Sequence, residues 1–428
     1  ADPPAAGRTS RPPSAAFRGA PASLGRAPVS IIPSVSPTAN SPPRLASAQA
    51  LLDLAAIAEA PLRFGNAVRV LRDGALAFPA MLAAIRAARS SVCFENFIMA
   101  DDATGADFAG ALERAQARGA HVRVLYDPVG TLLVRGGSVA RRLRHRSIEV
   151  RPFRPLSPLA PWSWIRLRHR DHRKLLVCDG RNAVVGGICI ADHWAPAERG
   201  GGGWRDTALF VRGPVVADLQ LAFERMWRRA RHFSPVEAVP VPPSQPKGDA
   251  AAIVVGDRPG AGRVAAIYAW LADHAEESLE LTDAYFVAPP LVTDALMRAA
   301  RRGVHVRLLL PGRNNHPIIG LAARRIYAPL LDAGAEIHEW DGVMLHAKTA
   351  VADGVITIVG SSNLDPLSLR RNYELNVLVG DPAIGSRMRE LFAADLLDAT
   401  RVNPAAWRRR PARARAAEAI ATFAASLL

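Results

Sequence analysis

Lysine is nearly missing from this chain. Of its 54 basic residues only three, Lys174, Lys247 and Lys348, are lysines. Cysteine is equally scarce, at Cys93, Cys178 and Cys189. An odd number without metal-ligand spacing argues against a disulfide framework or a cysteine metal site. Their apolar, strand-like surroundings read as reduced core thiols, which fits a cytoplasmic setting. No uninterrupted apolar run is long enough to span a bilayer, so any membrane contact is expected to be peripheral. Acids are outnumbered 39 to 54, and the net charge of +15 points to an anionic partner, either nucleic acid or an anionic lipid surface.

Two of the three lysines stand in a pattern written twice. His172-Arg173-Lys174 closes on Asp179, and His346-Ala347-Lys348 closes on Asp353. Each copy reads His-x-Lys-x4-Asp and is followed by a Gly-rich turn, Gly186-Gly187 in one and Gly360-Ser361-Ser362-Asn363 in the other. On a strand, residues two apart share a face, so each copy is expected to present an imidazole beside an ammonium. A chain this biased toward the wide arginine fork has kept lysine where a compact cation is needed. The apolar runs LLVC and TAVA that follow each end in Asp-Gly, a favoured turn into a second strand. Asp179 and Asp353 therefore read as turn residues of the motif, outside the chemical centre.

The repeat extends further. ARGAHVRVLYDP (117–128) matches RRGVHVRLLLPG (301–312), SVCFENFI matches LELTDAYFV (279–287), and IEVRPF (148–153) matches AEIHEW (335–340). With 428 residues and this alternation of strands and helices, the chain is expected to form two similar α/β lobes. Residues 1–48, rich in Pro, Ala, Ser and Arg, read as a disordered tail. A first domain is expected over 49–235, a Pro-rich linker over 236–250 and a second domain over 251–400. A basic helix over 401–428 either docks on anionic lipid or packs on its own domain.

Within the first domain a helix is expected at Leu51–Ala60, a strand at Asn66–Leu71, a helix at Phe78–Ala88 and a buried strand at Ser91–Met99. That strand carries Glu95, a lone carboxylate needing either a partner or a solvent-facing strand end. A second helix is expected at Asp107–Arg118 and the next strand at His121–Tyr126.

Two histidines, each beside a lysine, suit transfer at a phosphodiester. One imidazole attacks phosphorus and the other handles the proton of the leaving and entering oxygens. The lysines hold the non-bridging oxygens, where charge builds in the transition state. This chemistry asks for no metal or other cofactor. Each hairpin is followed by an acid in a strand-like run, Asp206 in WRDTALFV and Glu374 in NYELNV. Such an acid either orients an imidazole through its remote nitrogen or pairs with a nearby arginine.

The motifs resemble the phospholipase D superfamily and, within it, the bacterial cardiolipin synthases. The likeness rests on FPAMLAAIRAARSSV, ENFIMADDATG, RDHRKLLVCDG, VVGGICIAD, WRDTALFVRGP, AYFVAPP, MLHAKTAVADG and GSSNLDPLSLRRNYELNV, over about residues 61 to 400. It implies two α/β/α sandwich lobes meeting across a pseudo-two-fold axis with one shared site. It implies His172 as nucleophile, His346 as general acid/base, and Lys174, Lys348 and Asn363 on the phosphate. Ser361, Glu95 and Cys189 are further candidates on the substrate side. Cys189 stands where the family usually has Asn, which removes a phosphate donor. Asn314-Asn315-His316 replaces a common Ser-Asp-His run and leaves His316 as a candidate pocket residue.

The implied reaction moves a phosphatidyl group from one phosphatidylglycerol to another. Hydrolysis, as a phospholipase D or a nucleic-acid phosphodiesterase, is the competing enzymatic reading. A non-catalytic anionic-lipid or nucleic-acid binder is the third. Trp162 and Trp164 in PWSWIRLRHR favour a lipid headgroup layer over a nucleic-acid groove, or belong to the core. The expected location is cytoplasmic, peripheral on the bacterial inner membrane.

Overall fold

Two halves of the chain repeat one order of elements. The computed structural model describes residues 44–134, 136–156, 169–230 and 245–427. The first half begins with α1 (Ala48–Ala58), β1 (Arg63–Arg72), α2 (Asp73–Ala87), β2 (Ser91–Asn96), α3 (Ala103–Ala117) and β3 (His121–Tyr126). It continues with α4 (Pro128–Leu133), α5 (Ser138–His145), β4 (Glu149–Pro152), β5 (Leu175–Cys178), β6 (Asn182–Gly186), β7 (Thr207–Arg212) and α6 (Val215–Arg229). The second half begins with β8 (Ala250–Asp257), α7 (Arg263–His274), β9 (Ser278–Thr282), α8 (Pro290–Arg301), β10 (His305–Pro311), α9 (Pro317–Arg324), α10 (Tyr327–Asp332) and β11 (Glu336–Trp340). It continues with β12 (Thr349–Ala352), β13 (Ile356–Gly360), α11 (Pro366–Arg370), β14 (Glu374–Gly380) and α12 (Pro382–Leu396), and β15 (Ala399–Arg401), α13 (Pro404–Arg408) and α14 (Ala412–Leu427) close the chain.

Strand pairing states the repeat most directly. The first half runs β1-β7-β6-β5-β2-β3-β4 and the second β8-β14-β13-β12-β9-β10-β11, with β15 added at its edge. β1 and β8 pair antiparallel at the junction, across a register irregularity between Arg63 and Asn66. That is the relation a two-fold axis imposes. Within each half the strands β2-β3-β4 and β9-β10-β11 are parallel, and helices cross over between them. β2 is buried at all six positions, as a central strand covered on both faces must be.

The two half-sheets fold over one another, so β6 and β7 meet β13 and β14. The apolar cluster there includes Leu175, Val185, Leu209, Val359 and Val377, closed off by Phe223 and Trp227 of α6 and Leu391 of α12. Outer clusters lie under α2 and α3 in one half and under α7 and α8 in the other. The result is the expected pair of α/β/α sandwiches.

Several boundaries differ from the sequence expectations. Leu45, within the span expected to be a tail, is fully buried in the described residues. α1 lies in the first half of the chain but packs on β8 and α7 of the second, because Leu51 and Leu54 face Ile253, Val255 and Ile267. α2 starts at Asp73, five residues earlier than expected, with Pro79 inside it. Asp73 is tied to Asp206 by reciprocal bonds, its N–H to the Asp206 carbonyl and its Oδ1 to the Asp206 N–H, and this tertiary anchor holds the extra turn. The expected tail to residue 43, most of the linker, and Trp162 and Trp164 lie outside the described residues. α14 packs on α9 through Ala421 and Ala425 against Ala322. Its outward side exposes Arg413, Arg415 and Ile420. Among the described residues no helix is long and apolar enough to cross a membrane.

Candidate active site

The two His-x-Lys segments do not lie inside strands as expected. Each sits just before its strand, and its backbone bonds to the opposite half. His172 N–H donates to the Tyr373 carbonyl at 3.0 Å, and His346 N–H donates to the Arg205 carbonyl at 2.7 Å. Short parallel bridges, Asp171 with Tyr373 and Arg205 with Leu345, complete the two contacts. Each motif lysine takes its own histidine's carbonyl, Lys174 Nζ that of His172 and Lys348 Nζ that of His346. The strands themselves start directly after the lysines, at Leu175 and Thr349.

This exchange of backbone contacts crosses the acids. Glu374, beside Tyr373, lies 3.1 Å from His172 Nδ1 with both carboxylate oxygens. Asp206, beside Arg205, lies 2.7 Å from His346 Nδ1 through Oδ2. Each half of the chain therefore supplies the acid for the other half's histidine. An ionised carboxylate only accepts, so Nδ1 carries the proton in both rings and Nε2 is left for chemistry. Arg205 is locked by Asp395 of α12 at 2.9 and 3.0 Å, which fixes the neighbouring Asp206. Ser361 Oγ donates to Glu374 Oε2 at 2.5 Å, and Trp194 Nε1 donates to Asp206 Oδ2 at 2.8 Å.

The two histidines, the two motif lysines, Asp206 and Glu374 are all buried. Burial pushes His346 down to about 3, helped by Lys348 and Lys174 and opposed by Asp206. Burial also lowers His172, with Glu374 pulling the other way. Burial alone would raise Asp206 and Glu374, but the imidazole each faces, with its hydrogen bond, leaves both below the usual carboxylate range. Lys348 is brought down to about 8, again chiefly by burial. Both shifts favour the neutral imidazole in the empty site.

Cys189 is buried, and burial raises its thiol, with Lys174 and Lys348 acting in the opposite sense. It lies electrostatically within the site, at the position equivalent to Asn363. Asn363 Oδ1 is buried without a partner, while its Nδ2 is 3.4 Å from Ser368 Oγ. The structure brings His172, Lys174, His346, Lys348, Asp206, Glu374 and Ser361 together, with Cys189 close enough to feel both lysines and Asn363 at the matching position of the other half.

Glu95, a candidate on the substrate side, is placed elsewhere. Its carboxylate is bonded to Arg173 at 3.0 Å, with both side chains buried. Burial raises it well above its usual range, Arg173 opposing and Asp171 adding to the rise. Arg173 is the residue between His172 and Lys174, so the middle of the motif is occupied by this internal pair. Asp179 and Asp353 are turn residues, as expected, both at positive φ. They also cap a distant strand start. Asp179 accepts the N–H groups of Arg89, Ser90 and Ser91, and Asp353 those of Glu276, Glu277 and Ser278.

The aromatic wall was not anticipated. The Phe97 ring lies 4.8 Å from His172, and Lys174 Nζ lies 5.1 Å from its centroid. Across the site, Lys348 Nζ lies 5.8 Å from the Tyr285 centroid, and that ring is 6.2 Å from His346. Trp194 and Trp204 stand 5.2 and 5.7 Å from His346. His316 joins this wall through Tyr285 at 5.5 Å. The available signal was position: Phe97 follows β2 directly, and Trp204 is two residues from Asp206. Burial raises Asp283 and Asp365 to about 7 beside Lys348, and neither was anticipated. Among the described residues no group of three or more His, Cys, Asp or Glu is placed to hold a metal.

Known proteins resemble this chain to different degrees. Residues 270–396 match a family model described as cardiolipin synthase, PLD-like domain. The major cardiolipin synthase ClsA of Bacillus subtilis (strain 168) is 30% identical over 367 residues, 85% of this chain and 76% of that protein. The cardiolipin synthase of Geobacillus thermodenitrificans (strain NG80-2) is 29% identical over 380 residues, 87% of this chain and 74% of that protein. Among solved structures, phosphatidylserine synthase of Haemophilus influenzae Rd KW20 superposes with a TM-score of 0.62 over 87% of this chain and 98% of that one. At 12% identity it is a likeness of fold. The chain belongs to the phospholipase D superfamily and, within it, to the cardiolipin synthase family.

Proposed function

We propose that the protein is a phosphatidyltransferase that makes cardiolipin from two molecules of phosphatidylglycerol through a phosphohistidine. The observation that carries the reading is the crossed pairing. Two imidazoles, each with Nδ1 held by a carboxylate from the other half, leave Nε2 for chemistry, and Lys174 and Lys348 both act on each ring.

In the first step His172 Nε2 attacks phosphorus, the bond from phosphorus to the glycerol oxygen breaks, and His346 gives that oxygen its proton. In the second step the hydroxyl of another phosphatidylglycerol gives its proton to His346 and attacks phosphorus, and the bond to His172 breaks. Two phosphatidylglycerols become one cardiolipin and one glycerol. The substrate's negative charge offsets the repulsion of Lys174 and Lys348, so His346 gains its proton as the lipid binds. The same lysines stabilise the added charge of the transition state. Cys189 supplies no amide donor, so the phosphate is held more firmly from the Asn363 side.

We place the enzyme peripherally on the anionic inner membrane. Arg413, Arg415 and Ile420 on α14 support the contact, and the three free, buried cysteines fit the cytoplasmic face. The test is incubation with labelled phosphatidylglycerol, resolving cardiolipin, phosphatidic acid and glycerol. Equal amounts of cardiolipin and glycerol are expected, unchanged by EDTA, because the lysines provide the positive charge. Phosphatidic acid as the main product would establish hydrolysis instead. Loss with EDTA, restored by a divalent ion, would contradict the mechanism.

A further inference from the structure

The two histidine–acid pairs match in backbone position and differ in what holds the acid from behind. Gly360 pairs with Asn376 in one half and Gly186 with Ala208 in the other, so Glu374 corresponds to Asp206 and Ser361 to Gly187. Ser361 donates its hydroxyl to Glu374 Oε2. Gly187 has no hydroxyl, and a side chain there has no room: a Cβ would lie 2.3 Å from Asp206 Oδ1. The donor comes from elsewhere. Trp194 Nε1 reaches Asp206 Oδ2 at 2.8 Å, the same oxygen that faces His346 Nδ1 at 2.7 Å. Its ring is 2% exposed, stands edge-on to His346 at 86° and is braced by Trp204 at 4.7 Å. Thr207 N–H holds the other oxygen at 2.7 Å.

We propose that Trp194 is a positioning residue for the acid/base histidine. Its indole N–H does for Asp206 and His346 what the Ser361 hydroxyl does for Glu374 and His172, the role of His346 being that of the reading above. The two donors are not equivalent. A serine hydroxyl rotates, and Ser361 also accepts the Leu375 N–H at 2.9 Å. An indole only donates, from a buried ring with no freedom to turn away. It fixes Oδ2 as the atom that holds the imidazole, and it keeps water from that oxygen.

The consequence is read in pH. His346 is faced by Asp206, by Lys348 of its own segment and by Lys174 of the other half; Asp206 is faced by His346, Lys348 and Trp194, with Cys189 and Tyr285 nearby. Removing the indole N–H leaves all the charged groups in place and makes Asp206 a stronger acceptor. A stronger acceptor stabilises the imidazolium, so the limb of the profile belonging to His346 moves to higher pH.

The test uses Trp194→Phe together with replacement of Trp194 by its benzothiophene analogue, which keeps the packing and lacks the N–H. Transfer from phosphatidylglycerol is measured against the burst of nitrophenol from a nitrophenyl phosphodiester, whose leaving group needs no proton. Both variants should lose roughly tenfold or more in kcat on the lipid. Their pH limb should move to higher pH and the burst should be unchanged. Ser361→Ala, acting on His172, should slow the burst itself. Wild-type rate and pH profile in the analogue would overturn the proposal, as would equal loss in burst and turnover. If Trp194→Phe does not fold, the analogue decides. A wild type that gives the burst but no cardiolipin would sink the transferase reading and leave this comparison readable.

Discussion

His346 sits among two lysines, one carboxylate and three aromatic rings, and its surroundings decide what each neighbour is worth. Asp206 is the one neighbour that favours its protonated form, so Asp206→Asn should lower lipid turnover by about 10²- to 10⁴-fold. Glu374→Gln should cost a similar amount through the other histidine. The crossed pairing separates them: with a nitrophenyl phosphodiester, Asp206→Asn should keep its burst and Glu374→Gln should lose it. Equal loss in both would mean that the acids do not serve separate roles. Asp365 tests burial at the same scale. Burial raises it to about 7 from an ordinary 3.8, so the folded state holds its proton more tightly than the unfolded chain. The associated stability is complete below about pH 4 and is lost as pH rises through about 7. Its bond from Ser368 N–H is one that asparagine also accepts as a helix cap. Asp365→Asn should therefore match the wild type near pH 4 and be more stable by roughly 2–4 kcal/mol at pH 8, read from calorimetry across that range.

At the level of elements, the hairpins after each histidine were legible because they are local: an apolar run, an Asp-Gly turn, a second apolar run. The helix and strand boundaries were less so, since α2 is extended by the Asp73 and Asp206 contact between residues over a hundred positions apart. Asp179 and Asp353 show the same limit, for the turn is visible in sequence and the distant strand each carboxylate caps is not. Asp353→Ala would leave three backbone N–H groups without their acceptor. It should cost about 3 kcal/mol, with the loss seen in thermal unfolding and not in the identity of the product. α14 packs one face on α9, the second of the two alternatives expected for it, and its outward side exposes Arg413, Arg415 and Ile420. Ile420, 71% exposed, can carry a charge without disturbing the fold. Ile420→Asp should weaken sedimentation with anionic vesicles at unchanged thermal stability, and wild-type binding should fall as salt rises. Equal, salt-independent binding to neutral vesicles would remove the electrostatic contact.

Over the whole molecule the duplication was readable from His-x-Lys-x4-Asp and the matched strands, and with it the two-lobed fold. The crossing was not, because nothing local in WRDTALFV or NYELNV says which histidine an acid will meet. That follows from the antiparallel β1 and β8 junction and the folding of one half-sheet over the other. The placement of α1 on the second half and the Glu95 pair with Arg173 are also long-range packing results. One measurement tests the resulting account of a single shared centre most directly. His346→Ala, mixed with a nitrophenyl phosphodiester and quenched, should accumulate a covalent adduct, stable to base and labile to acid, that maps to His172, and His172→Ala should give none. An adduct on His346 in the wild type would reverse the two roles, and no adduct in any variant would contradict the covalent step.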